Sequence, residues 1–269
     1  MFEKYEKLNV IGKGYLNRVF KGQNKNTKEY VAIKEIILKE IKIMEVKKEA
    51  EKEIKIMKLF NFCPNSVKLI DNFEENNIIY LVMELCDGDI TKYLNKSKNG
   101  FNMTEIKIVM KQFNNILKEL RKRDMIHNDL RLENILVKFK ENSKEFEIKL
   151  SDYCMCKLLS NKKDLSNNEW GIEPYTEGSE EDIELQIKLD LLMIGIDIYR
   201  MIFNEPYDTY EEMIEKVDQN VEDKNLKDLL NKLLTEDSDE RIGWEDYFNH
   251  DFFKIEKYDF DKVENIVKK

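Results

Sequence analysis

The densest group of reactive side chains lies in Ile126-His127-Asn128-Asp129-Leu130-Arg131-Leu132-Glu133-Asn134-Ile135-Leu136-Val137. An aspartate is followed by a cation two residues later and an asparagine five residues later, ahead of an apolar run that reads as a strand. Such a loop offers a carboxylate to accept a proton, a cation to neutralise transferred charge and an amide oxygen to bind a metal. The plainer reading is a loop whose Asp and Asn cap backbone groups. A second acid, Asp152 in Leu150-Ser151-Asp152-Tyr153, stands at another strand end. Two oxygen donors, Asn134 and Asp152, suit Mg2+, which takes few protein ligands when it also binds nucleotide phosphates.

Near the start of the chain, Ile11-Gly12-Lys13-Gly14-Tyr15-Leu16-Asn17-Arg18-Val19 sets two close glycines between apolar strand edges. Backbone N–H groups in such a loop can lie against phosphate oxygens, although a Gly-x-Gly in a hairpin is also an ordinary turn. Val31-Ala32-Ile33-Lys34 then puts one lysine at the end of an apolar strand, facing whatever the glycine loop covers. An exposed edge charge is the alternative. If the ammonium is buried it needs an anionic partner, and Glu53 or, one turn earlier, Glu49 can supply it. For both glutamates the competing reading is a solvated helix face.

Two kinds of element must hold these groups. Across residues 8–85, the runs 17–21, 30–35, 67–73 and 78–85 are rich in β-branched and aromatic residues and predict strands. Residues 40–60 lack Gly and Pro and repeat Val46, Ala50, Ile54, Met57 and Leu59 near helical spacing, which predicts one long helix. After Asp87-Gly88-Asp89 the pattern turns helical: Thr104-Glu105 opens a segment whose Val109, Phe113, Ile116, Leu117 and Leu120 form one apolar stripe. Runs 135–140 and 146–150 flank Glu141-Asn142-Ser143-Lys144 and predict a hairpin. Residues 159–182 read as a long polar loop, and 183–203 as a helix buried on all sides. Two amphipathic helices, near 226–234 and 244–253, are expected to finish the chain. The expectation is a single domain over 1–269, with a strand-rich lobe over 1–85 and a helical lobe over 86–269.

Composition narrows the function classes. Among 269 residues, 42% are hydrophobic and 37% charged, which suits a soluble globular protein and excludes a disordered chain. A net charge of −9 repels a phosphate backbone, so nucleic acid is not an expected partner. Cys63, Cys86, Cys154 and Cys156 are too few and too scattered for a disulfide framework and read as reduced thiols of a cytoplasmic protein. The charged opening Met1-Phe2-Glu3-Lys4-Tyr5-Glu6 does not resemble a secretory signal. The most apolar run, 189–203, is interrupted by Asp190, Asp197 and Arg200, so no membrane association is expected.

In order and spacing, these motifs resemble a eukaryotic protein kinase domain of the Ser/Thr type, from about Tyr5 to Phe253. The resemblance implies an α+β bilobal fold: a small antiparallel-sheet N-lobe with one long helix and a larger, mainly helical C-lobe. It implies ATP and Mg2+, with Asp129 as catalytic base, Arg131 countering charge, and Asn134 and Asp152 as metal ligands. Ile11, Gly12 and Gly14 would cover the nucleotide, and Lys34 would hold the α/β-phosphates while paired with Glu53. Val19, Ala32 and Leu136 would sandwich adenine, and Met83-Glu84-Leu85-Cys86 would be the gatekeeper and the hinge whose backbone meets it. Met57, Leu69, His127 and Tyr153 would stack between the lobes, anchored by Asp190 in Lys188-Leu189-Asp190-Leu191-Leu192-Met193-Ile194-Gly195. Asp239-Glu240-Arg241-Ile242 and His250-Asp251-Phe252-Phe253 resemble the family's closing motifs.

Several positions depart from the family pattern. Asn17 replaces the third loop glycine, Arg131 the usual lysine, Asn128 the arginine before the base, and Cys154 the glycine of the metal-binding triplet. The Ala-Pro-Glu signature is missing near Trp170-Gly171-Ile172-Glu173-Pro174-Tyr175-Thr176-Glu177, and Glu177, Glu180 and Glu181 all remain candidate partners for Arg241. With Asn128 offering no cation, acidic replacements at Ser160, Ser166 and Thr176 are expected to change activity little. The implied function is a Ser/Thr protein kinase acting on a protein substrate. The alternative is a pseudokinase that binds nucleotide and serves as a scaffold or allosteric partner, docking through loop 159–182 or the helical lobe.

Overall fold

The computed structural model describes residues 3–14, 17–38, 43–159, 171–175, 179–206, 209–254 and 259–267. The strand-forming runs at its start pair into one antiparallel sheet: β1 (Tyr5–Lys13), β2 (Asn17–Asn24), β3 (Tyr30–Ile37), β4 (Leu69–Glu75) and β5 (Ile78–Glu84), in the order β1-β2-β3-β5-β4. Strand periodicity sorts the side chains of β3. Val31 and Ile33 pack with Tyr5, Tyr80 and Val82 on the outer face, while Ala32 and Ile36 turn inward with Leu81 and Met83. Lys34 lies between Ala32 and Ile36 in that alternation and so faces inward with them. Between β4 and β5, Asn76 and Asn77 both take positive φ, 54° and 58°, as a tight hairpin turn requires.

The inward face is covered by α1 (Ile43–Phe60). Its buried stripe runs Val46, Ala50, Glu53, Ile54, Met57, Phe60, a helical period that carries one acid inward. The predicted first residues of this helix, 40–42, lie outside the described residues. The expected strand 67–73 begins two residues late, because Val67 N donates to Leu150 O at 2.9 Å and ties this segment to the lower hairpin instead.

Short pieces then build the floor of the cleft. β6 (Gly88–Asp89) leads into α2 (Ile90–Leu94), whose first turn is capped by Asp89 accepting from Lys92 N at 2.9 Å. α3 (Met103–Arg121) starts with a reciprocal Asn102–Glu105 capping box. β7 (Met125–Ile126) enters the loop 127–131, a 3-10 turn (Leu132–Asn134) leaves it, and β8 (Ile135–Phe139) and β9 (Phe146–Leu150) form the expected hairpin. β6 adds to that hairpin, and β10 (Lys157–Leu158) pairs with β7.

The helical remainder comprises α4 (Glu180–Phe203), α5 (Tyr210–Asn220), α6 (Lys224–Leu233) and α7 (Trp244–Asn249). Three expectations are corrected here. First, α4 begins inside the predicted loop, under a Ser179–Asp182 capping box, and its burial is concentrated in 190–201 while Leu185 and Leu189 stay exposed. Second, α5 was not foreseen, although Tyr210, Met213, Ile214 and Val217 repeat at i, i+3, i+4 and i+7 and pack on the core. Third, the last predicted helix splits into α7 and a 3-10 turn, Asp251–Phe253. Tyr15, Leu16, Ser160, Ser166, Trp170, Thr176 and Glu177 lie outside the described residues. Among the described residues, no helix is long and apolar enough to cross a membrane.

Candidate active site

A cleft of about 670 Å³ separates the sheet from the β8–β9 hairpin. Ile11, Gly12, Val19 and Ala32 line it from the sheet, Leu136 and Asn134 line it from the hairpin side, and Met83, Glu84 and Cys86 line its back. Gly14 is not among the lining residues. Its backbone N–H donates to Asn17 O at 3.0 Å, and a Cβ at Gly14 would meet Asn17 Oδ1 at 2.5 Å. Asn17 therefore folds its side chain back against Gly14, and close approach rather than positive φ explains the glycine.

Lys34 is the centre of charge on this wall. Its ammonium donates to Glu53 Oε1 at 2.7 Å, to Glu53 Oε2 at 3.0 Å and to Asp152 Oδ1 at 2.8 Å. The choice between Glu53 and Glu49 is thereby resolved, since Glu49 is exposed. Burial opposes the charge on Lys34, but the carboxylates of Glu53 and Asp152 outweigh it and push the ammonium above its ordinary range. The same burial raises the Glu53 carboxyl against the pull of Lys34. Asp152 is also pushed up by burial, yet the charge and hydrogen bond of Lys34 prevail and hold it below the usual aspartate range.

Across the cleft, Asn134 Nδ2 donates to Asp129 O and Asp129 Oδ2, both at 2.9 Å. That commitment turns the amide oxygen into the atom left for a cation, while the Asp152 carboxylate meets Lys34 through Oδ1 and also accepts from the Cys154 thiol. Hard oxygen donors of this kind fit Mg2+. Asp129 is half-buried and does not line the cleft wall directly.

The loop carrying Asp129 is fixed from below. Asp190 Oδ2 accepts from His127 N at 2.8 Å and Oδ1 from Asn128 N at 2.9 Å, and Asn128 takes a left-handed φ of 62°. Burial raises the Asp190 carboxyl to about 6, against those two N–H donors. Burial also lowers the His127 pKa, so its neutral ring donates from Nε2 to Ser151 O at 3.1 Å. His127 stacks edge-on against Tyr153 at 5.4 Å, and Tyr153 shares a 2.7 Å hydrogen bond with Ser66. Met57 and Leu69 are buried like these two rings, so all four expected stacking residues are interior.

Two arrangements were not legible beforehand. Glu84 is nearly buried and carries Lys138 at 2.5 Å and Lys149 at 3.2 Å, so its carboxylate is occupied by the β8–β9 hairpin. Arg131 does not turn toward the cleft: its Nε donates to Glu133 Oε2 at 2.9 Å, and Arg200 Nη2 donates to Glu133 Oε1 at 3.1 Å. Partial burial pushes Glu133 up, but the two guanidinium hydrogen bonds hold it down to about 2.

Cys86 and Cys154 sit beside the cleft as thiols that burial pushes up to about 12. Arg241 donates to the carbonyls of Thr235 at 3.0 Å, Glu236 at 3.1 Å and Lys188 at 3.2 Å, and among the described residues no carboxylate pairs with it, Glu177 lying outside them. Glu180 and Glu181 are exposed.

The family profile described as protein kinase domain matches residues 5–253. Over 270 residues the chain is 30% identical to the serine/threonine-protein kinase atg1 of Dictyostelium discoideum, covering 93% of this chain and 39% of that protein. With cyclin-dependent kinase 9 of Homo sapiens it shares 27% over 313 residues, covering 93% of this chain and 80% of the relative. A shorter match to cyclin-dependent kinase-like 4 of Mus musculus reaches 36% over 157 residues, covering 58% of this chain and 44% of the relative. The chain thus spans less than half of the first and third of these proteins.

Proposed function

This chain belongs to the protein kinase domain family, and from that premise we propose that it is an ATP- and Mg2+-dependent protein serine/threonine kinase, transferring the γ-phosphate of ATP to a protein hydroxyl. The observation that carries the reading is Lys34 clamped between Glu53 and Asp152 on the wall of the cleft. An ammonium on the wall of this cleft suits a strong anion such as a polyphosphate.

In this reading adenine lies between Val19 and Ala32 above and Leu136 below, against the backbone of Glu84 and Cys86. Ile11 and Gly12 cover it, and Lys34 holds the α/β-phosphates. Asn134 and Asp152 would hold Mg2+, which when bound neutralises phosphate charge. The substrate hydroxyl oxygen bonds to the γ-phosphorus, the bond from that phosphorus to the ADP oxygen breaks, and the hydroxyl proton passes to Asp129. Asn134 keeps Asp129 oriented for that proton. We take residues 1–85 and 86–269 as the two lobes of one catalytic domain acting in the cytoplasm.

A second reading, a nucleotide-binding pseudokinase, is favoured by Arg131 being drawn away to Glu133 and by Asn128 and Cys154. Two measurements separate them. Transfer from radiolabelled ATP should fall at least ~10²-fold in Asp129→Asn, as expected for loss of a general base. ATP with Mg2+ should raise the melting temperature of both proteins. A thermal shift without transfer selects the pseudokinase, and no shift at millimolar nucleotide rejects both.

A further inference from the structure

We propose that Asp197 is a positioning residue for the transfer reaction: by capping the 3-10 turn Leu132–Asn134 from helix α4, it sets the Asn134 amide that orients Asp129. Its place in catalysis rests on the kinase reading, whereas the anchoring rests on contacts within this chain.

Asp197 lies on α4 between Ile196 and Ile198, both buried, and its own side chain is 2% exposed. Its Oδ1 accepts from Leu132 N at 3.2 Å and stands 3.7 Å from Arg200 Nη1, while Oδ2 has no hydrogen-bond partner among the described residues. A carboxyl with so few partners costs stability in a core, where an apolar side chain of similar size would not. Such an exception to local packing marks a place where geometry counts for more than stability.

The contact itself supplies the reason. A helical turn leaves its first N–H groups without partners inside the turn, and Arg131, which precedes this one, has no side-chain acceptor to offer. Asp197, 65 positions further along the chain, takes over that task. The turn closes through Asn134 N donating to Arg131 O at 2.9 Å, and Asn134 Nδ2 reaches back to Asp129 O and Oδ2. At its far end Ser151 N and Oγ both donate to Asn134 O at 3.0 Å, so Leu132 is the end that depends on Asp197.

Asp190 precedes Asp197 by seven positions, about two helical turns along nearly the same face of α4. The two acids grip the loop from below at both ends. Asp190 holds the N–H groups of His127 and Asn128, Asp197 holds that of Leu132, and Asp129 lies between them.

The test compares the unmodified chain with Asp197→Asn, which keeps an acceptor oxygen for Leu132 N, and Asp197→Leu, which keeps the size and removes the acceptor. Hydrogen exchange at single amides reads the anchor, transfer from radiolabelled ATP reads its consequence, and the ATP-dependent thermal shift reads nucleotide binding. In Asp197→Leu the Leu132 and Asn134 amides should exchange about tenfold faster, as loss of one hydrogen bond allows, while those of His127 and Asn128 keep their rates. Its kcat should fall about tenfold to 10²-fold, with the thermal shift retained and the melting temperature no lower. Asp197→Asn should restore both the exchange rates and kcat. An unprotected Leu132 amide in the unmodified chain overturns the proposal whether or not the variants fold. So does Asp197→Leu with unchanged exchange at Leu132, with unchanged kcat, or with faster exchange throughout the chain and a lower melting temperature, the mark of a purely structural role. Absence of transfer by the unmodified chain removes the kinase reading instead, and exchange at Leu132 and Asn134 still decides the anchor.

Discussion

Lys34 Nζ lies 2.8 Å from Asp152 Oδ1, linking strand β3 to a residue 118 positions later, just beyond β9. With Glu53 on its other side, one ammonium fixes the sheet, helix α1 and the lower hairpin in mutual register. The cleft is therefore organised around a buried cation before any nucleotide enters.

Removing that cation should cost more than removing an ordinary surface charge. Lys34→Met strands the carboxylate of Glu53, which is only 2% exposed, and should destabilise the fold by roughly 3 kcal/mol in urea titration. An unchanged midpoint would show that Glu53 simply takes up a proton at no cost to the fold.

Asp190 supports the loop through two buried N–H acceptor contacts. Asp190→Ala leaves both donors unsatisfied and should cost about 3 kcal/mol, since each orphaned donor costs roughly 1–3 kcal/mol. Hydrogen exchange should show the His127 and Asn128 amides losing protection first. Retained protection at both would contradict the anchoring role.

Asp197 predicts a pH dependence of definite sign. Burial raises its folded pKa to about 8, well above the ordinary 3.8, so the folded protein holds this proton more tightly than the unfolded chain. The stability it contributes is fully present below about pH 4 and drains away as pH rises through about 8. Asp197→Asn should therefore flatten the fall in melting temperature between pH 6 and 8.5. Parallel curves for the two proteins would exclude Asp197 as its source.

Glu105 holds the last described segment against α3. Its carboxylate accepts from the backbone of Glu264 at 2.9 Å, Asn265 at 2.5 Å and Ile266 at 3.2 Å, besides the Asn265 amide and its own capping bond. These residues lie beyond the 5–253 kinase match, yet Ile266 is fully buried. Glu105→Ala should cost about 3 kcal/mol by orphaning several donors at once. It should also expose residues 259–267 to limited proteolysis, and wild-type resistance in the variant would argue against this clamp.

Local pattern revealed much of this architecture. Strand alternation set Lys34 inward, and the helical period of α1 brought Glu53 onto the buried stripe, although spacing could not choose it over Glu49. The loop from His127 to Asn134 was legible because its reactive residues are close in sequence. What escaped were contacts between distant segments: the Glu133–Arg200 pair, the lysines on Glu84, and the carbonyls that receive Arg241. Each joins surfaces whose adjacency is decided by tertiary packing, which no periodicity encodes. Helix α5 is of another kind, because Tyr210, Met213, Ile214 and Val217 keep helical spacing and do mark a stripe in the sequence.

The most direct test of the central claim is transfer of radiolabel from ATP, with Mg2+, to the protein itself or to a serine peptide, comparing the unmodified chain with Asp129→Asn. The account predicts transfer by the former and a loss of at least ~10²-fold in the latter, with the nucleotide-dependent thermal shift retained. Equal transfer by both proteins, or none by either, would contradict it.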